Sequence, residues 1–271
     1  MAMGKGKPFL EVFSSALHED YRFPILEIFA FLYALGTFVF ASFGPVMAPS
    51  RDLPSEAIAY SVTTSILGAF SLFIFIILIF KNVAYGLGSD LEKGIIQTYF
   101  SYPLKRRGIL IAKLLSALGI ALILLLTIQI SALYVLAPDV VSPYLGTVLL
   151  TYAATLSPSL FLTGIVLLVT LTLRRGSLAL VIGIVLFFAM NIIGAIAMLV
   201  ASSTGSPVAL QILAVISPDV VLLRYYSTNV PSPELWTPTF SVVLFYIGAS
   251  YVIVAFLFFL GYLYFSRRLG L

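Results

Sequence analysis

Glu27 is the one carboxylate of this 271-residue chain that falls inside a long apolar run. An acid in such a run is a candidate for substrate, ion or proton contact by default. It sits near the start of its run, within reach of the polar stretch His18 to Arg22. Three roles are open to it: an interfacial or salt-bridged structural residue, a link between an N-terminal helix and the first span, or a contact to substrate. His18 is the only histidine and has no ligand set around it, which suits an interfacial polar residue better than a catalyst. Cysteine is absent, so disulfides and thiolate-bound metals are excluded. HExxH, Gly-x-Ser-x-Gly and paired-Asp motifs do not occur, and Gly86, Gly88 and Gly94 are not followed by the Gly-Lys-Ser/Thr of a P-loop. The chain is therefore expected to be no enzyme, to carry no cofactor, and to hydrolyse no ATP by itself. Gln129 and Asn191 could bond between helices or line a route; neither has a charged companion, and the repeated acids of a cation relay are missing. Gly119, Gly183, Gly194, Ala195 and Ala197 read as close-packing positions.

The substantial charged segment between apolar runs is Ser89 to Lys113, SDLEKGIIQTYFSYPLKRRGILIAK. Ser89 followed three residues later by Glu92 has the form of a capping box. Leu91, Ile95, Ile96, Tyr99 and Phe100 then make an apolar stripe at helical spacing, opposite Asp90, Lys93 and Gln97. Pro103 disfavours continuation past Tyr102. The spacing predicts a short surface helix against the membrane or a partner, with Lys105, Arg106 and Arg107 anchoring the next span. An ordinary basic loop is the plainer alternative.

These residues must be positioned by membrane helices. The chain is 61 % hydrophobic and 10 % charged, whereas soluble domains carry about 25 % charged residues. Apolar runs of helix-spanning length, containing Gly and Pro, predict an all-α integral membrane protein in one transmembrane domain over residues 1–271. Six spans are expected at about 24–43, 57–80, 109–136, 144–173, 177–200 and 239–265, the fourth interrupted or bent around Pro158. Before the first, Phe9, Leu10, Phe13, Ala16, Leu17 and Tyr21 predict an amphipathic interfacial helix opened by Pro8. The stretch MAMGKGKPF lacks a signal peptide's apolar core, so the first span is expected to remain an anchor. Val208 to Leu223 is only 16 residues and is interrupted by Ser217-Pro218-Asp219. It is expected to form one or two short helices dipping into the outer leaflet, with Trp236 as an interfacial anchor. With both termini inside, only Arg51 and Arg224 of the 15 Lys and Arg residues fall outside. That bias predicts a multi-pass protein of the cell membrane with both termini cytoplasmic. The net charge of +4 is no argument for nucleic acid, because the basic residues flank spans.

The charged segment resembles the cytoplasmic loop of the membrane subunit in ABC-2 type transporters, the largely export-type ABC permeases. Glu92, Lys93 and Gly94 match the opening of the family pattern, Ser101, Tyr102 and Pro103 its middle, and Arg106, Ile109, Leu110 and Lys113 its close. Ile95 stands where Thr is usual, and Lys105 where a small polar residue is common. The resemblance implies an elbow-like N-terminal helix, a coupling helix between spans 2 and 3, and short external helices before span 6. It also implies two cytoplasmic ATPase subunits that bind ATP and Mg, and a second copy or related permease. Asp90, Leu91, Glu92, Lys93, Ile95, Ile96, Tyr99 and Phe100 are then the ATPase-coupling residues. The apolar ones would seat in the ATPase while Asp90, Glu92 and Lys93 register the contact. Two other readings stay open, an autonomous secondary transporter and a membrane scaffold or sensor subunit. The substrate is not legible; weakly charged spans leave room for a lipid, peptide, drug-like amphiphile or polysaccharide.

Overall fold

Backbone removed from water has to satisfy its own N–H and C=O groups, and long apolar runs do so as helices. The computed structural model describes residues 8–43, 54–99, 106–226 and 235–268, and they contain helices and no strand. The protein is a multi-pass, all-α membrane protein. Five of its described helices are long and apolar enough to cross a bilayer, or six if a bent N-terminal pair is one span.

That pair is α1 (Pro8–Asp20) and α2 (Ile25–Phe43), related by a 63° bend. On α1, Val12 and Ala16 are buried, and Val12 packs with Phe9 and Phe13 on Ile109 and Ala112 of α7 (Arg106–Leu114). Leu10, on the apolar stripe expected at the membrane interface, is 56 % exposed. Val12 and Ala16, four residues apart, share the helix face turned to the protein.

The second span departs most from expectation. Helix α3 (Ser55–Leu67) ends at Gly68, whose φ of 46° turns the chain before α4 (Ala69–Ile79) begins. A glycine adopts this left-handed conformation without a Cβ penalty. The path then runs on through a π-helical stretch (Phe80–Gly86) into α5 (Leu87–Glu92). The membrane-length helix is thus Phe70–Glu92, shifted beyond the expected 57–80. One unbroken helix from Ser55 to Glu92 would measure about 57 Å, nearly twice the hydrocarbon thickness. The break at Gly68 lets α3 pack separately.

After α6 (Ile95–Tyr99), α7 passes through a second π-helical stretch (Leu115–Gly119) into α8 (Ile120–Leu136). A one-turn helix, α9 (Pro138–Val141), precedes α10 (Leu145–Leu173). Helix α10 continues as one helix through Pro158, so of the expected interruption or bend the interruption does not occur. Neighbouring helices keep a proline tolerable at such depth. Helix α11 (Gly176–Thr204) returns antiparallel to α10, followed by α12 (Val208–Ala214), α13 (Asp219–Tyr226) and α14 (Phe240–Arg268). The interrupted apolar stretch therefore forms two short helices, with Ser217-Pro218 between them.

Burial separates inner from outer helices. In Phe70–Glu92, 61 % of the apolar stretch is buried inside the chain, but in α11 only 11 % is. The core gathers Phe75, Ile79 and Phe80 with Leu110, Leu125, Val166 and Leu171. Buried Gln129 joins four helices: it donates to Thr37 Oγ1 (3.3 Å) and to the Ile66 carbonyl (3.1 Å), and accepts from the Tyr152 hydroxyl (3.1 Å). Of the two uses left open by the sequence, this is the interhelical one.

Candidate functional site: a buried charge cluster at the α1 end

The C-terminus of α1 is clamped between the two π-helical stretches. Lys81, in the first, donates to the Asp20 carbonyl at 2.6 Å. Ser116, in the second, donates to Asp20 Oδ2 at 2.6 Å, and the Tyr21 hydroxyl donates to the Ala117 carbonyl at 2.9 Å. A π turn carries one extra residue relative to an α turn and re-aims the side chains around it. Here it brings Lys81 and Ser116 onto one short segment of α1.

Lys113 is the hub. It pairs with Asp90 of α5, and with Glu19 of α1 at 3.1 Å. Asp90 is 2 % exposed and Lys113 9 %, whereas the Glu19 side chain is half-exposed. A buried charge is tolerated when it is paired, and the two partners lie on different helices. Burial pushes the Asp20 carboxyl up to about 6, against the opposing pull of the Ser116 hydrogen bond and of Lys113 and Lys81; Glu19 adds to the rise.

Segment 87–92 is also held by backbone contact. A Cβ on Gly88 would lie 2.6 Å from Gly176 Cα, and one on Gly176 would lie 2.7 Å from the Tyr85 carbonyl oxygen. Only glycines allow this approach of α5 to the start of α11. The Gly176 N–H points at Glu92 Oε2 at 3.4 Å.

The expected coupling residues divide. Ser89 lies inside α5 instead of capping a new helix, because the helix arrives unbroken from the membrane span. The chain then turns at Lys93-Gly94, with Gly94 at φ 71°, so α5 and α6 are separate. Asp90 faces inward onto Lys113, and Ile96 is 3 % exposed within the main core. Leu91 and Ile95 are half-buried, and Glu92 and Lys93 are exposed. The Tyr99 side chain, Phe100, Ser101 to Lys105 and the Arg106 and Arg107 side chains lie outside what is described. Glu27 stands exposed in the first turn of α2, away from this cluster, where a carboxylate suits the positive end of the helix. His18 is exposed. Asn191 is exposed and donates to the Phe187 carbonyl at 2.8 Å within its own helix. Sequence reasoning missed Asp20, Lys81, Glu19 and Ser116; a polar run at His18 to Arg22 was the one local hint.

In this arrangement, as among the described residues generally, no group of three or more His, Asp or Glu could hold a metal ion. What it can do is mechanical. It ties α1, the end of the Phe70–Glu92 span, the start of the next span and the start of α11 into one unit beside an exposed charged turn. No protein-family model matches the chain. No curated protein matches its sequence.

Proposed function

We propose that this chain is the membrane-spanning subunit of an ATP-driven exporter of the ABC-2 type, moved by separate cytoplasmic ATPase subunits that bind ATP and Mg. The observation that supports the reading best is the Leu87–Tyr99 step at the α1 end. It presents Glu92 and Lys93 outward while Asp90, Ile96 and the Gly88–Gly176 contact fasten it to several spans. A push on that turn would reach α1, α7 and α11 together. The same end carries Lys81, Lys93, Lys113, Arg174, Arg175 and Arg267, and Arg224 lies on α13 at the other, a distribution that supports a cytoplasmic α1 end. Helix α1 is then the elbow along the inner interface, and α12 and α13 are the external helices.

In this reading the docking contact is narrower than the apolar stripe suggested. Ile96 belongs to the chain's own core, so Glu92 and Lys93 register the ATPase and the half-buried Leu91 and Ile95 supply the apolar edge. ATP-driven closure moves the permease only if the ATPase binds its two conformations unequally. The paired substitution Glu92→Lys with Lys93→Glu should reduce ATPase recovered by pull-down at least fivefold, with membrane insertion unchanged. An unchanged yield would remove the coupling assignment.

A further inference from the structure

Away from the charge cluster, a cavity of approximately 410 Å³ opens between α4, α10, α11 and the turn joining α12 to α13. That is within the size range of small-molecule sites. Most of its wall is apolar, including Leu72, Ile76, Leu162, Phe187 and Met190. Its polar groups are Thr155 and Ser159 on α10, Asn191 on α11, and Ser217 and Asp219 on the turn.

Asp219 is the charged member. Its own N–H, the Val220 N–H and Ser217 hydrogen-bond its carboxylate, while Oδ1 is shut off from solvent and has no hydrogen-bond partner. Among the described residues, none that lines the cavity is basic. A carboxylate that lines a mostly apolar cavity with no basic residue beside it offers a cationic group its counter-charge. Shape adds a second constraint. Met198 and Phe187 mark opposite ends of the α11 wall, and the helical rise from one to the other gives a length of about 16 Å. Met198 lies toward the Asp219 turn, because the end of α11 leads into α12.

We propose that this cavity binds a single-chain amphiphile with a primary ammonium head, the head at Asp219 and the chain along Leu72, Ile76, Phe187 and Met190. A primary ammonium supplies both the charge and the N–H donor, and an elongated apolar wall takes an alkyl chain. The site lies within one copy of the chain and does not depend on an ATPase partner.

The chain carries its own reporter. Trp236 is the only tryptophan, and it packs on the cluster containing Leu213 and Val220, both of which line the cavity. Purified protein in phosphatidylcholine vesicles is titrated with 6,7-dibromododecylammonium, whose mid-chain bromines quench tryptophan, and in parallel with neutral 6,7-dibromododecanol. The ammonium probe should quench saturably, and the alcohol should give only the linear rise of partitioning into lipid. Asp219→Asn should weaken the saturable component at least tenfold. Gly194→Phe should abolish it, because a Cβ at Gly194 meets nothing within 4 Å and a ring there fills the cavity. Equal saturation by the alcohol would overturn the ammonium assignment on the wild-type protein alone. An ammonium curve unchanged by either folded variant would overturn the site.

Discussion

Lys113 shows how one residue can hold three elements. Replacing it by Met leaves the buried Asp90 carboxyl without its cation, so Lys113→Met should cost about 3 kcal/mol of stability. Adding Asp90→Asn should recover most of that loss. Glu19→Gln, at the half-exposed arm, should cost under about 1 kcal/mol. Thermal unfolding in detergent, read as a double-mutant cycle, checks all three. Asp20 sets a pH dependence of opposite sign to the usual carboxylate. Its folded pKa, about 6, lies above the ordinary 3.8, so between these values the folded state holds more protons. Stability should therefore fall as pH rises from about 4 to 6, and Asp20→Asn should flatten that slope. None of these partners was legible from spacing. Lys81 reaches Asp20, and Asp90 reaches Lys113, across long separations in sequence. A charge that ends an apolar run reads as the end of a span until its distant partner is known. For the same reason Asp219 read as a helix interruption and nothing more.

Elements built from uninterrupted apolar runs were legible. Helices α11 and α14 cover the expected stretches, since length and composition suffice when every residue tolerates lipid or core, whereas α10 covers its stretch without the break that Pro158 suggested. The second span was not, because two departures act together: Gly68 breaks the helix within the apolar run, and paired charges carry it on past Lys81. The Gly88–Gly176 contact has no sequence signature either, since the two glycines sit on different helices. Its prediction is direct. Gly88→Ala places a Cβ against backbone, which cannot swing aside as a side chain would, and should cost about 1–3 kcal/mol in thermal unfolding. Gln129→Leu, by contrast, keeps the volume and removes one buried network. Membrane hydrogen bonds average about 0.6 kcal/mol with a maximum near 1.7, so a loss of about 1 kcal/mol is expected.

For the whole molecule, the distribution of burial points outward. Helix α11 leaves Val185, Ile192 and Leu199 exposed, as a lipid-facing or subunit-facing helix must. The charge cluster lies at the opposite end of the bundle from α12 and α13, so a force applied to the Lys93 turn would have to travel along α10 and α11 to reach the cavity. The central claim is that this force comes from a separate ATPase. The most direct measurement is affinity purification of the chain from native membranes in mild detergent, with mass spectrometry of its stoichiometric partners. The account predicts a soluble protein with a Walker A motif at one copy per copy of this chain, lost in the Glu92→Lys/Lys93→Glu variant. Recovery of the chain alone, under conditions that keep other membrane complexes whole, would contradict it.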